Sequence, residues 1–140
     1  MKIVVVSSKN RKYKKMELGY FVKLIKKGLI KVISFKKCQN IDLNTVLVEK
    51  IDSLKLDFDI YVLIIDNIDE VFYYKNKIKD FNKILILTEN TNVNFIMSCI
   101  DYTKNLLYLN TSINTIINKI KNMYFENNEV DINVSDKYGK

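Results

Sequence analysis

Ile60-Tyr61-Val62-Leu63-Ile64-Ile65, closed by Asp66, is the stretch that decides the fold. Six apolar residues without polar alternation form a strand covered on both faces, as at the centre of a parallel sheet. Downstream, Lys83-Ile84-Leu85-Ile86-Leu87 ends at Thr88-Glu89-Asn90, and Leu106-Leu107-Tyr108-Leu109 ends at Asn110. Between them, Val93, Ile96, Met97 and Ile100 recur at helical spacing. Ile113, Ile116, Ile117, Ile120 and Tyr124 do the same, with Thr111 or Ser112 as N-cap. A weaker helical stretch covers about 68–80.

Upstream, Lys2-Ile3-Val4-Val5-Val6 is a buried strand ended by Ser7-Ser8-Lys9-Asn10. Leu18, Phe21, Val22, Leu24 and Ile25 make a helical stripe, and Gly28 stands where a helix ends, which predicts a helix over 12–27. Leu29–Phe35 reads as the second strand, and Leu43, Val46, Leu47, Ile51 and Leu54 as a second helix. Five βα units in 1–125 predict a doubly wound α/β domain, a five-stranded parallel sheet of order 2-1-3-4-5 with helices on both faces. Residues 126–140 lose the apolar period and read as a polar tail or a linker to an absent output domain.

The 140 residues, 48% hydrophobic and 28% charged, suffice for one globular domain. The absence of His excludes Ser-His-Asp and Cys-His catalysis and His-ligated zinc built from this chain alone. Cys38 and Cys99 lack CxxC spacing and read as reduced thiols. No apolar run reaches the roughly 20 residues of a membrane span, and no signal peptide precedes the first strand, so a cytoplasmic protein is expected. Three glycines build neither GxGxxG nor a Walker loop, and no nucleotide cofactor or metal is expected.

The polar residues at the strand ends carry a resemblance. In its βα order and its strand-end residues, 1–125 resembles the receiver domain of bacterial two-component response regulators, a flavodoxin-like fold. In that family an acidic pair after strand one holds Mg²⁺, an Asp after strand three accepts a phosphoryl group, a hydroxyl after strand four senses it, and a Lys after strand five contacts it. The resemblance assigns Asp66, in VLIID, to the phosphoacceptor and Thr88, in ILILT, to the switch hydroxyl. Ser7 and Ser8 occupy the acidic-pair positions, Asn110 the Lys position and Thr111 that of the following Pro, while Leu107 replaces a switch aromatic.

Two hydroxyls do not replace two carboxylates for Mg²⁺, so the resemblance implies an atypical receiver with slow or absent aspartyl phosphorylation, and Mg²⁺ only if Asp66 is still phosphorylated. Asp69 and Glu70 are the nearest acids that could compensate. The plainer reading of Asp66 is a helix N-cap or a solvated strand-end carboxylate, and that of Thr88 a helix cap. The family implies a non-enzymatic regulatory domain of a transcription regulator in a phosphorelay. It would form a homodimer through its fourth helix, fifth strand and fifth helix, where Asn94, Asp101, Lys104, Lys119 and Lys121 supply mixed charge. A histidine kinase or an acidic protein is the further partner.

The formal charge of +7 is unevenly spread. Residues 1–40 hold twelve Lys/Arg against Glu17 alone, and the remainder is net negative. Lys9, Arg11, Lys12, Lys14 and Lys15, around Tyr13, cluster at the start of the expected first helix, and Lys23, Lys26 and Lys27 continue it. The alternative function is therefore a stand-alone module that binds an anion or nucleic acid through this loop and helix.

Overall fold

The computed structural model describes residues 2–7, 12–13, 16–34, 44–48 and 58–138, with side chains placed for 2–7, 17–31 and 58–127. Its elements are β1 (Lys2–Ser7), β2 (Lys12–Tyr13), β3 (Met16–Glu17), α1 (Leu18–Ser34), β4 (Asn44–Val48), β5 (Ile60–Ile64), α2 (Ile68–Lys77), β6 (Ile84–Thr88), α3 (Val93–Tyr102), β7 (Leu106–Tyr108) and α4 (Ile113–Tyr138). A 3-10 turn, Phe81–Lys83, leads into β6. The architecture is α/β.

The main sheet has the order β4-β1-β5-β6-β7, with every neighbouring pair parallel. β1 and β5 sit inside it, and their residues divide by parity. Ile3, Val5, Ile60, Val62 and Ile64 pack with Leu85 and Leu87 under α1 and α4, against Phe21, Ile25, Leu29, Ile116 and Ile120. Val4, Val6, Tyr61, Leu63 and Ile65 face the other way, onto Val71 and Tyr74 of α2 and Phe95, Cys99 and Tyr102 of α3. Burial on both faces is why these strands carry unbroken apolar runs.

The first half of the chain corrects the sequence reading at three places. Lys12–Tyr13 and Met16–Glu17, expected within the first helix, form the antiparallel pair β2/β3, and α1 begins at Leu18. Residues 29–34, expected as a strand, are the last two turns of α1, since Leu29 continues the stripe of Phe21, Val22 and Ile25 into the core while Ile30 is exposed. The second strand is instead Asn44–Val48, where a helix was expected. Val46, Leu47 and Val48 form a short, largely β-branched run that satisfies either period, and pairing with β1 decides it. Leu43, Ile51 and Leu54, the other residues of that expected helix, lie outside the described residues.

Gly28 does not end a helix. It lies inside α1 where α4 crosses closely, and a Cβ built there would collide with Ile117 Cδ1 and stand 3.2 Å from its Cγ1. At the other end of the chain, residues 126–138 continue α4 instead of leaving it. Ile116, Ile117, Ile120 and Met123 anchor the first turns in the core, and an established helix extends by one hydrogen bond per residue.

Buried polar groups tie the opposite face together. Tyr102 Oη lies 2.9 Å from Tyr74 O and 2.8 Å from Ile78 O, giving a donor to the Ile78 carbonyl just past α2 and to the Tyr74 carbonyl, which also accepts from Ile78 N–H. Thr103 Oγ1 stands 3.1 Å from Phe81 O and 3.0 Å from Ile84 O, and accepts from Asn105 N–H at 3.2 Å.

Candidate functional site

The chain runs from β1 outward to β4 and then across to β5, so the order reverses between β1 and β5. The carboxyl ends of such strands are where α/β sheets hold ligands. Ser7 ends β1 in register with Ile64, and it is 5% exposed. Asp66 follows β5, Thr88 ends β6, and Asn110 lies in the turn after β7.

Asp66 and Thr88 meet. Thr88 Oγ1 donates to Asp66 Oδ1 at 2.9 Å, and Glu89 N–H donates to the same oxygen at 2.9 Å. Asn90 N–H donates to Thr88 Oγ1 at 3.0 Å, and Asn90 Nδ2 reaches back to Asp66 O at 2.6 Å. Glu70 Oε1 accepts from Asp66 N–H at 3.2 Å. The carboxylate thus receives a hydroxyl and an amide where two parallel strands end, in a cluster that also uses the backbone of Asp66 in both directions.

This geometry corrects the capping reading of both residues. The N-cap of α2 is Asn67, whose Oδ1 accepts from Glu70 N–H at 2.9 Å. That of α3 is Asn92, which accepts from Asn94 and Phe95. Asp66 and Thr88 are left to bridge β5 and β6. Glu70 is occupied by the turn into α2, and among the described residues no group of three Asp, Glu or Cys is placed to hold a metal ion.

An open cleft of about 510 Å³ adjoins this cluster, lined by Thr88, Glu89, Thr91, Tyr108, Leu109 and Asn110. Thr88 therefore serves both features, one through its hydroxyl and one as lining. Asn110 shares the cleft with Thr88, in the place the resemblance gives to a Lys. Ser8, Lys9, Arg11, Lys14 and Lys15 lie outside the described residues. The backbone of Lys12 is in β2, which removes it from α1.

Asn90 and Tyr108 are the residues that sequence reasoning missed. Asn90 ended a polar triplet after β6 with nothing to mark it as a clamp on Asp66. Tyr108 had a place only in the last strand, with no site role, yet it is exposed and lines the cleft.

No helix among the described residues is long and apolar enough to cross a membrane. Neither a protein-family model nor a curated protein sequence matches the chain.

Proposed function

We propose that the chain is an atypical receiver-like regulatory domain, flavodoxin-like in fold, that works by protein association instead of aspartyl phosphorylation. The observation that carries this reading is the Thr88 hydroxyl bonded to the Asp66 carboxylate across adjacent strand ends. It engages the carboxylate at the strand-end position from which the family's phosphoacceptor would act, and that chemistry also needs Mg²⁺ and a fixed cation. Ser7 and Asn110, uncharged, hold two of the positions from which those charges would come.

The association surface is the exposed side of α3 and β7. Val93, Met97 and Ile100 are spaced i, i+4, i+7 and are 72%, 53% and 52% exposed, with Tyr108 exposed on neighbouring β7. An apolar helical stripe left in water is the pattern of a contact surface. A second copy of the chain is the partner we assign, through α3, β7 and α4.

Two measurements test the reading. Intact mass after incubation with Mg²⁺ and a small phosphodonor should show no adduct, and an adduct abolished by Asp66→Asn would overturn phosphorylation-independence. Sedimentation over a concentration series should show a dimer that Met97→Glu and Ile100→Glu convert to monomer. A monomer throughout would remove the homodimer.

A further inference from the structure

The extension of α1 to Ser34 changes what its outer side presents. Leu18, Phe21, Val22, Ile25 and Leu29 are spent on the core. Tyr20, Lys23, Lys26, Lys27, Ile30 and Lys31 form the opposite arc, and all are exposed. The helix contains no Asp or Glu. Lys23, Lys27 and Lys31 are spaced by four, which sets them on one line at intervals of about 6 Å, with Lys26 beside it. Lys31 joins this line only because 29–34 is helical.

We propose that this face of α1 binds nucleic acid through the phosphate backbone, without reading base sequence. Four cations within about 12 Å of helix, uninterrupted by an acid, complement a polymer that bears a negative charge about every 1.7 Å of duplex. Two competing occupants fit less well. A membrane-surface helix needs a broad apolar face to bury, and the described side chains of α1 bury theirs in the core, with Tyr20 and Ile30 the large apolar ones left exposed among them. A protein partner would place lysines at the centre of the contact, where protein interfaces are depleted of them. The inference stands apart from the receiver reading, because the surface assigned to that role, α3, β7 and α4, includes no residue of α1.

The test is fluorescence anisotropy of the whole chain with a labelled random-sequence duplex of about 20 base pairs, between about 50 and 200 mM salt. The slope of log K against log salt should lie near −3 to −4, from about 0.9 per phosphate neutralised. Replacing Lys23, Lys26, Lys27 and Lys31 together by Gln should remove about three units of slope and most of the affinity, whereas replacing them by Arg should keep both. Replacing Lys75, Lys77, Lys79 and Lys83 by Gln removes the same net charge from α2 and the segment that follows it, outside α1, and should change the slope by less than one unit. Equal losses in the two Gln variants would assign binding to net charge and overturn the proposal. So would a wild-type chain that leaves the duplex free while sedimenting with vesicles of anionic phospholipid.

Discussion

Thr88 Oγ1 and Asp66 Oδ1, 22 residues apart in sequence, lie 2.9 Å apart across the carboxyl ends of β6 and β5. The hydroxyl is donor to the carboxylate and acceptor from Asn90 N–H at once. A single side chain therefore fixes the acid and shapes the loop that leads to α3. The same loop forms one wall of the cleft, so the acid, the loop and the cleft respond together to anything that moves Thr88.

Thr88→Val keeps the shape and deletes both bonds. Thr88 is fully buried, so the valine leaves a carboxylate and an amide without that partner. The expected loss is about 2–3 kcal/mol, the range for a hydrogen bond to a charged group plus an unsatisfied donor. Thr88→Ser keeps the hydroxyl and loses only a methyl, at about 1 kcal/mol. Urea unfolding of the three proteins separates the two contributions.

The half of the fold from Ile60 onward was legible in its strands and most of its helices because their periods are clear, whereas 126–138 lack one and still extend α4. β5 and β6 are unbroken apolar runs, and the stripe of α3 repeats at three and four. The first half was not, because Gly28 and the 44–48 segment are decided by contacts remote in sequence. Gly28 exists for Ile117, 89 positions later, and β4 exists because β1 has a free edge. Likewise Asp66 and Thr88 could be picked out as polar strand ends. Their mutual bond could not, since it depends on β5 and β6 being neighbours, and the role of Asn90 follows only from that bond.

The two glycines of α1 should answer the same substitution with opposite signs. Gly19 has open space where a Cβ would go, so Gly19→Ala should stabilise by about 0.5–1 kcal/mol through lower unfolded-state entropy and better helix propensity. Gly28→Ala gains the same propensity and drives a methyl into Ile117, for a net loss of about 1–2 kcal/mol. Ile117→Val removes the Cδ1 atom in the way. The double variant should therefore be more stable than the sum of the two single changes, which a thermodynamic cycle measures.

Tyr102→Phe removes one atom from the buried end of α2. Tyr74 O and Ile78 O then lose their common donor, and about 1–3 kcal/mol should go with it. The ring still fills the core beside Phe81, so the fold persists. Native-state hydrogen exchange should accelerate at Ile78, whose N–H bonds to Tyr74 O, and much less in β5.

Cys99 gives the chain an alkaline limit. Burial pushes its thiol up to about 11 from 9.0, because the thiolate would have to form inside the α3 layer of the core. Since the folded value is the higher one, stability from this group is intact below pH 9 and declines as pH rises toward 11, when the unfolded chain ionises and the folded one does not. Two units correspond to a loss on the order of 2–3 kcal/mol over that window. Burial and the neighbouring charge of Tyr61 shift the Tyr102 hydroxyl in the same direction, so some decline should remain above pH 10 after Cys99→Ala. Unfolding free energies measured from pH 8 to 11 should thus fall less steeply in Cys99→Ala than in the parent. In a Cys38→Ser background, a thiol reagent at pH 8 should modify Cys99 only after denaturant is added, and prompt labelling of the folded chain would show that the thiol is reachable from solvent.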